Sequence, residues 1–183
     1  MATFFDALTD KYIGFIRRQH VFFVATGAAG GRINLSPKGM NTFRVLDANT
    51  VAYLDMGGSG NETSAHLQND GRITFMFCSF DQTPLILRLY GRGDVVRPGS
   101  VEWNQLAPHF EQIHGQRQII RARIASVQDS CGFAVPRLEF VGERDTLQKH
   151  YTKYTSEEIA AKFAKQTKSI DGLPVTPACA AAE

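Results

Sequence analysis

The chain is poor in cysteine: its 183 residues hold three, Cys78, Cys131 and Cys179, an odd number set far apart. That count and spacing build neither a disulfide framework nor a zinc site, and reduced thiols in a cytoplasmic protein are the expectation. Histidine does not supply a metal site either, because His109 and His114, five residues apart, fall on different faces of a helix. Charge of one sign is also lacking. Lys and Arg number 20 against 18 Asp and Glu, a net +2, too weak a field to imply nucleic acid as a partner. No apolar run is long enough to cross a membrane. The opening MATFFDALTD places acids where a secretion signal carries its basic region. Neither a Ser-His-Asp or Cys-His signature nor a G-x-G-x-x-G fingerprint is present. Disorder, membrane insertion and secretion are therefore not expected.

What the chain does have is core material in strand-length pieces. Thirteen Phe and five Tyr contribute to a 43% hydrophobic fraction. Residues 3–19 carry Phe5, Leu8, Tyr12, Phe15 and Ile16 at helical spacing and read as an amphipathic helix. From Val21 the period changes. Residues 21–27 form a compact strand, 28–39 a hairpin turn leading into a second strand, and 50–56 a third strand after Asp47-Ala48-Asn49. Gly57, Gly58 and Gly60 then lead to a short helix reaching about Asn69, with Ser59 and Glu62 at capping-box spacing. Residues 72–80 and 84–96 are β-prone. Residues 101–114 read as a helix, although Pro108 removes a donor from its interior. Residues 118–128 and 131–142 return to strands. A last helix starts near Ser156, behind Thr155 and Glu158 at capping-box spacing, and runs to about Lys168. Residues 1–169 read as one domain and 170–183 as a frayed tail. The first three strands are joined without room for crossover helices, so the expected fold is mainly β: an antiparallel barrel with peripheral helices.

The chemistry concentrates in INLSPKG (33–39) and GSGNETSAHL (58–67). A phosphate group asks for hydrogen-bond donors and positive charge. A helix starting near Glu62 offers unpaired backbone N–H groups and the positive end of its dipole. Asn61 and Thr63 add short polar side chains there. Lys38, at the end of the second strand, supplies a formal charge, and Ser36 shares its strand face. His66 faces the same helix side, where a surface or supporting role is the plainer reading.

The order VFFVATG, GRINLSPKG, TVAYLD, GSGNETSAHLQNDGRITFMFCSF and PLILRLYGRG resembles the FMN-binding split β-barrel family related to pyridoxamine 5′-phosphate oxidase, over roughly residues 1–130. The resemblance implies an antiparallel split β-barrel of Greek-key type that binds FMN. It further implies a homodimer with FMN at its interface, and NADH or NADPH as a transient reductant. It places Asn34 and Ser36 at the flavin ring edge and Lys38 near the phosphate. Tyr53, Leu54 and Asp55 would lie beside the ribityl chain and ring, and Asn61 and Thr63 at the phosphate. Arg88 would reach the cofactor or a dimer partner. Where the family's oxidases carry an arginine and a lysine, this chain has Glu62 and Thr63, so Lys38, with Arg44, would have to supply the neutralising charge. The family's closing tryptophan and arginine segment is also missing: the one tryptophan is Trp103. The resemblance thus implies an FMN-dependent oxidoreductase with a substrate other than vitamin B6. The alternative is a non-catalytic flavin carrier or redox sensor.

Overall fold

The structure, a computed structural model, describes residues 2–175. It contains eight strands: β1 Thr3–Phe5, β2 Phe22–Thr26, β3 Asn34–Lys38, β4 Phe43–Val45, β5 Thr50–Met56, β6 Arg72–Cys78, β7 Ile86–Val96 and β8 Gln116–Ser130. Five helices accompany them: α1 Asp10–Arg17, α2 Glu62–Asn69, α3 Val101–Leu106, α4 Thr146–Tyr151 and α5 Ser156–Ala164. All strand pairings are antiparallel, in the order β3-β2-β6-β7-β8-β5-β4, with β1 added on β8.

The sheet curls until its two ends share a core. Phe22 of β2 meets Phe43 of β4, at the far end of the strand order, edge to face with ring centroids 5.0 Å apart. Phe43 in turn meets Phe75 and Phe77 of β6 at 5.3 and 5.0 Å. Offset and edge-to-face contacts of this kind add stabilisation beyond the area they bury. The trough holds Val24, Val51, Tyr53, Leu87, Leu89 and Val127, closed on one side by Tyr12, Phe15 and Ile16 of α1. Each such fully buried side chain contributes about 1.5–3 kcal/mol. The Tyr12 hydroxyl donates to the Asp129 carboxylate, pinning α1 to β8. The result is the curled, antiparallel, mainly β architecture of a split β-barrel.

Several expectations need correction. The helix expected over 3–19 begins only at Asp10, because residues 3–5 instead extend along β8, Phe5 opposite Val127. The second strand expected within 28–39 does run through Pro37, because β3 is an edge strand and needs no amide there. The three-residue β4 was not foreseen. The helix at 101–114 stops at Leu106, and Ala107–His109, containing Pro108, tightens to a 3-10 turn. Residues 131–142 are not a strand. Gly132, at φ 64°, turns the chain away from the sheet, and β8 is already paired on both sides. The segment keeps one backbone tie, Leu138 N–H to Phe80 O at 3.0 Å.

Ser59 and Glu62 make no capping box. The α2 cap is Asn61, whose side chain does not bond the first turn, and the Glu62 carboxylate accepts from the Ile170 amide at 3.1 Å. The box at Thr155 and Glu158 is formed in full, but α5 ends at Ala164 and α4 precedes it unforeseen. Residues 170–175, expected to fray, fold back instead. Lys168 bridges Pro174 and Val175 is buried. The rest of that tail, with Cys179, lies outside the described residues. Cys78 is buried and Cys131 exposed, both without a disulfide. No helix among the described residues is long and apolar enough to cross a membrane.

Candidate functional site

Strand alternation puts Asn34, Ser36 and Lys38 on one face of the edge strand β3. That face looks across a cavity of about 580 Å³ at the start of α2, the end of β5 and the start of β8. The volume lies in the ordinary range for small-ligand sites. Asn61, Thr63 and His66 line it from α2 and its cap, Asp55 from β5 and Arg117 from β8.

The electrostatic centre is Asp55, whose side chain is 1% exposed. Lys38 Nζ donates to its Oδ1 at 2.9 Å. Arg117 donates to Oδ2 through Nη2 at 2.8 Å and Nε at 3.2 Å, and Gln118 Nε2 adds a further contact at 2.9 Å. Burial alone would raise the Asp55 pKa, but the Lys38 and Arg117 charges outweigh it and hold the carboxyl below its usual range. Two cations against one carboxylate leave this centre with a net positive charge. Breaking such a buried network by removing one partner costs about 3–5 kcal/mol.

Arg117 owes its aim to a β-bulge. Asp55 pairs with Gln118 and Met56 with Gln116, so Arg117 is the extra residue and its side chain turns towards Asp55. Its Nη1 also donates to Gly60 O at 2.9 Å and to Gln166 Oε1 at 2.8 Å, tying the glycine approach to the chain beyond α5. Two further ties cross the cavity mouth: Asp171 takes hydrogen bonds from Arg32, and Glu62 takes the Ile170 amide.

His66 is 1% exposed. Its Nδ1 lies 3.0 Å from Thr26 Oγ1, whereas its Nε2 is buried without a partner. An unmatched buried ring nitrogen in a cavity wall calls for a ligand atom, since leaving it unpaired costs about 1–3 kcal/mol. Beside it the first turn of α2 is not closed by its cap, because the Asn61 Oδ1 is taken by Gln118 Nε2 at 2.9 Å. Thr63 Oγ1 receives Asn34 Nδ2 at 3.4 Å, and Ser36 donates to Asn34 Oδ1 at 3.3 Å.

Of the residues expected at the site, Asn34, Ser36, Lys38, Asp55, Asn61 and Thr63 thus come together. Tyr53, Leu54 and Arg88 do not. Pleating sends the Tyr53 ring into the main core, where burial pushes its phenol well above the ordinary value, with the Asp55 charge adding to this. Its hydroxyl meets no partner at full hydrogen-bond geometry, although Thr63 lies close enough to temper the shift. Leu54 packs in the second core with Ala52 and Ile119. Arg88, on β7, donates to Ser130 Oγ at 3.2 Å. Arg44, the second cation considered, is held by the carbonyls of His109, Asn41 and Phe43. Arg117 was missed, and Gly115-Gln116-Arg117-Gln118 carries no signal for it short of knowing the bulge.

A family model described as pyridoxamine 5′-phosphate oxidase matches residues 8–131. Among curated proteins, the chain is 37% identical over 201 residues to ustO, a pyridoxamine 5′-phosphate oxidase family protein of Aspergillus flavus, covering 95% of this chain and 78% of the relative. Solved structures share the fold. A putative pyridoxamine 5′-phosphate oxidase from Lactobacillus delbrueckii has a TM-score of 0.54 at 15% identity, over 67% of this chain and 94% of that one. A HupZ variant from Group A Streptococcus has 0.53 at 18%, over 67% and 98%. An FAD binding protein from Mycobacterium smegmatis has 0.50 at 12%, over 69% and 97%.

Proposed function

The chain belongs to the pyridoxamine 5′-phosphate oxidase family, and from that premise we propose that its cavity binds FMN and that it works as an FMN-dependent oxidoreductase on a substrate other than pyridoxamine phosphate. The observation that carries the reading is the unpartnered Nε2 of His66, set in the cavity wall beside the open first turn of α2. A phosphate there would receive His66 Nε2–H, the Thr63 hydroxyl and first-turn amides. The net charge of the Lys38–Asp55–Arg117 centre would balance it. The donor set therefore fits the group despite Glu62, whose carboxylate is occupied by the Ile170 amide.

FMN, when bound, supplies hydride and electron transfer. The residues of this chain hold and orient. Asn34 and Ser36 present a hydrogen-bonded polar rail along the edge strand. Asp55 keeps Lys38 and Arg117 fixed. The ties at Gln166, Ile170 and Asp171 restrict water at the mouth. On the exposed side of the cavity, Ile33, just before the edge strand β3, and Leu35, on it, are 80% and 63% exposed. Such surface is commonly covered by a partner, which supports a homodimer with the cofactor close to its interface. A cytoplasmic location and NADH or NADPH as reductant complete the proposal.

The visible spectrum of purified protein reconstituted with FMN, followed under NADH and NADPH, tests it. Saturable FMN binding with reduction faster than that of free flavin is expected. Binding without accelerated reduction would make the protein a flavin carrier or sensor, and absence of binding would overturn the reading.

A further inference from the structure

Lys38 lines two cavities. Beyond it, on the side away from α2, lies a space of about 1080 Å³ between the barrel and the segment that follows β8. We propose that this space is a second ligand site, taking a flat, mainly apolar organic molecule without formal charge. Resting on the flavin reading, we assign that molecule as the substrate class of the oxidoreductase.

The class follows from the walls. Val21, Pro37, Met40 and Phe80 form the barrel side, and Leu138 and Phe140 the opposite side. The charged groups around them are of mixed sign: Arg18 and Arg144 stand with Asp81, Glu139 and Glu143, while Lys38 is already paired with Asp55. A rim of mixed sign around an apolar floor favours a guest without formal charge, since an ion would lose its hydration without a matched counter-charge. Where the two sides meet, a flat aromatic stack already stands. The His20 and Phe140 rings stack with centroids 3.6 Å apart and planes 3° from parallel, a geometry another planar ring can extend.

Two features mark the space as built. Met40 and Asn41 hold φ angles of 60° and 51°, consecutive non-glycine residues in the left-handed region where the floor leaves β3. Strain of this kind persists where surrounding structure imposes it, and it clusters at ligand sites. The opposite wall is anchored by the Leu138 amide on Phe80 O, yet Leu138 and Phe140 remain 61% and 48% exposed. A guest would cover them. That wall also lies beyond residue 131, where the match to the family model ends.

The test is a titration of the full-length protein with the neutral fluorophore N-phenyl-1-naphthylamine, with and without FMN. One saturable site is expected, its emission quenched when FMN is present because the ligand sits one side chain away from the flavin. Phe140→Asp should weaken probe binding at least tenfold while leaving FMN absorbance unchanged. Leu147→Asn, on the same wall, provides a second variant with the same expectation if the first fails to fold. Probe binding indifferent to both variants would overturn the site. So would a wild-type protein that excludes the probe and whose sedimentation falls from dimer to monomer in Phe140→Asp, for the wall would then be covered by a second copy. If the protein binds no flavin but still loses the probe on these substitutions, the ligand site stands and the flavin reading, with the substrate role, fails.

Discussion

Arg117 donates through both Nη2 and Nε, at 2.8 and 3.2 Å, to the single oxygen Oδ2 of Asp55, and it does so from the extra residue of a β-bulge. The other oxygen is left to Lys38. One carboxylate thereby orders cations from strands 17 and 62 residues away in sequence.

Asp55→Asn should lower stability at neutral pH by about 3–5 kcal/mol, because the buried Arg117 and the half-buried Lys38 lose their counter-charge. The folded pKa of Asp55 is depressed, so its contribution is complete above the ordinary carboxylate range and lost as pH falls through the folded value. Urea unfolding of both proteins from pH 7 downwards should show the gap narrowing only below about pH 4. A gap constant down to pH 2 would contradict the depressed pKa.

His66→Leu should weaken FMN binding by roughly ten- to more than a hundredfold, the value of a charge-assisted hydrogen bond of about 1.5–3 kcal/mol. The cofactor-free protein should also lose stability, because the Thr26 hydroxyl is stranded. Adding Thr26→Val should recover that stability without recovering FMN affinity. Equilibrium dialysis and thermal unfolding separate the two effects.

Thr63→Lys should tighten FMN binding at low salt, with the gain shrinking as ionic strength rises. Riboflavin, which has no phosphate, should show no gain. An equal gain for both ligands would place the phosphate elsewhere in the cavity.

Gly57→Ala should loosen the α4–α5 unit. A Cβ at this position would collide with the Tyr151 hydroxyl and the Phe163 ring, buried side chains of α4 and α5. Overpacking of this sort costs about 1–3 kcal/mol. Limited proteolysis should therefore cut between residues 132 and 165 faster than in the wild type, while the barrel core stays resistant.

Much of the fold was legible because its signals are local. β5 spans residues 50–56 as expected behind the turn at Asp47-Ala48-Asn49, and Thr155 with Glu158 does start a helix. The failures are where partners decide. Thr3–Phe5 are a strand only because β8 offers an edge, and residues 131–142, equally β-prone, find none free. At the site, Asn34, Ser36 and Lys38 could be placed from strand period alone. Leu54 could not, since period 2 does not say which face of β5 meets the cavity, and Tyr53, on the same face as Asp55, lies deeper in the core. Arg117 depends on a bulge, and bulges carry no composition of their own here.

β8 pairs with β7, with β5 and with β1, and so reaches back to residue 3. Until residue 130 has left the ribosome, β1 and β5 have no neighbour on that side, and the trough of aromatic rings stands open to water. Such long-range pairing makes closure slow, since loop-closing entropy is lost before contacts repay it. The residue that completes the charge centre, Arg117, lies at the start of the same strand. Barrel closure and assembly of the cavity are therefore one kinetic event, and partly synthesised or slowly folding chains will have neither.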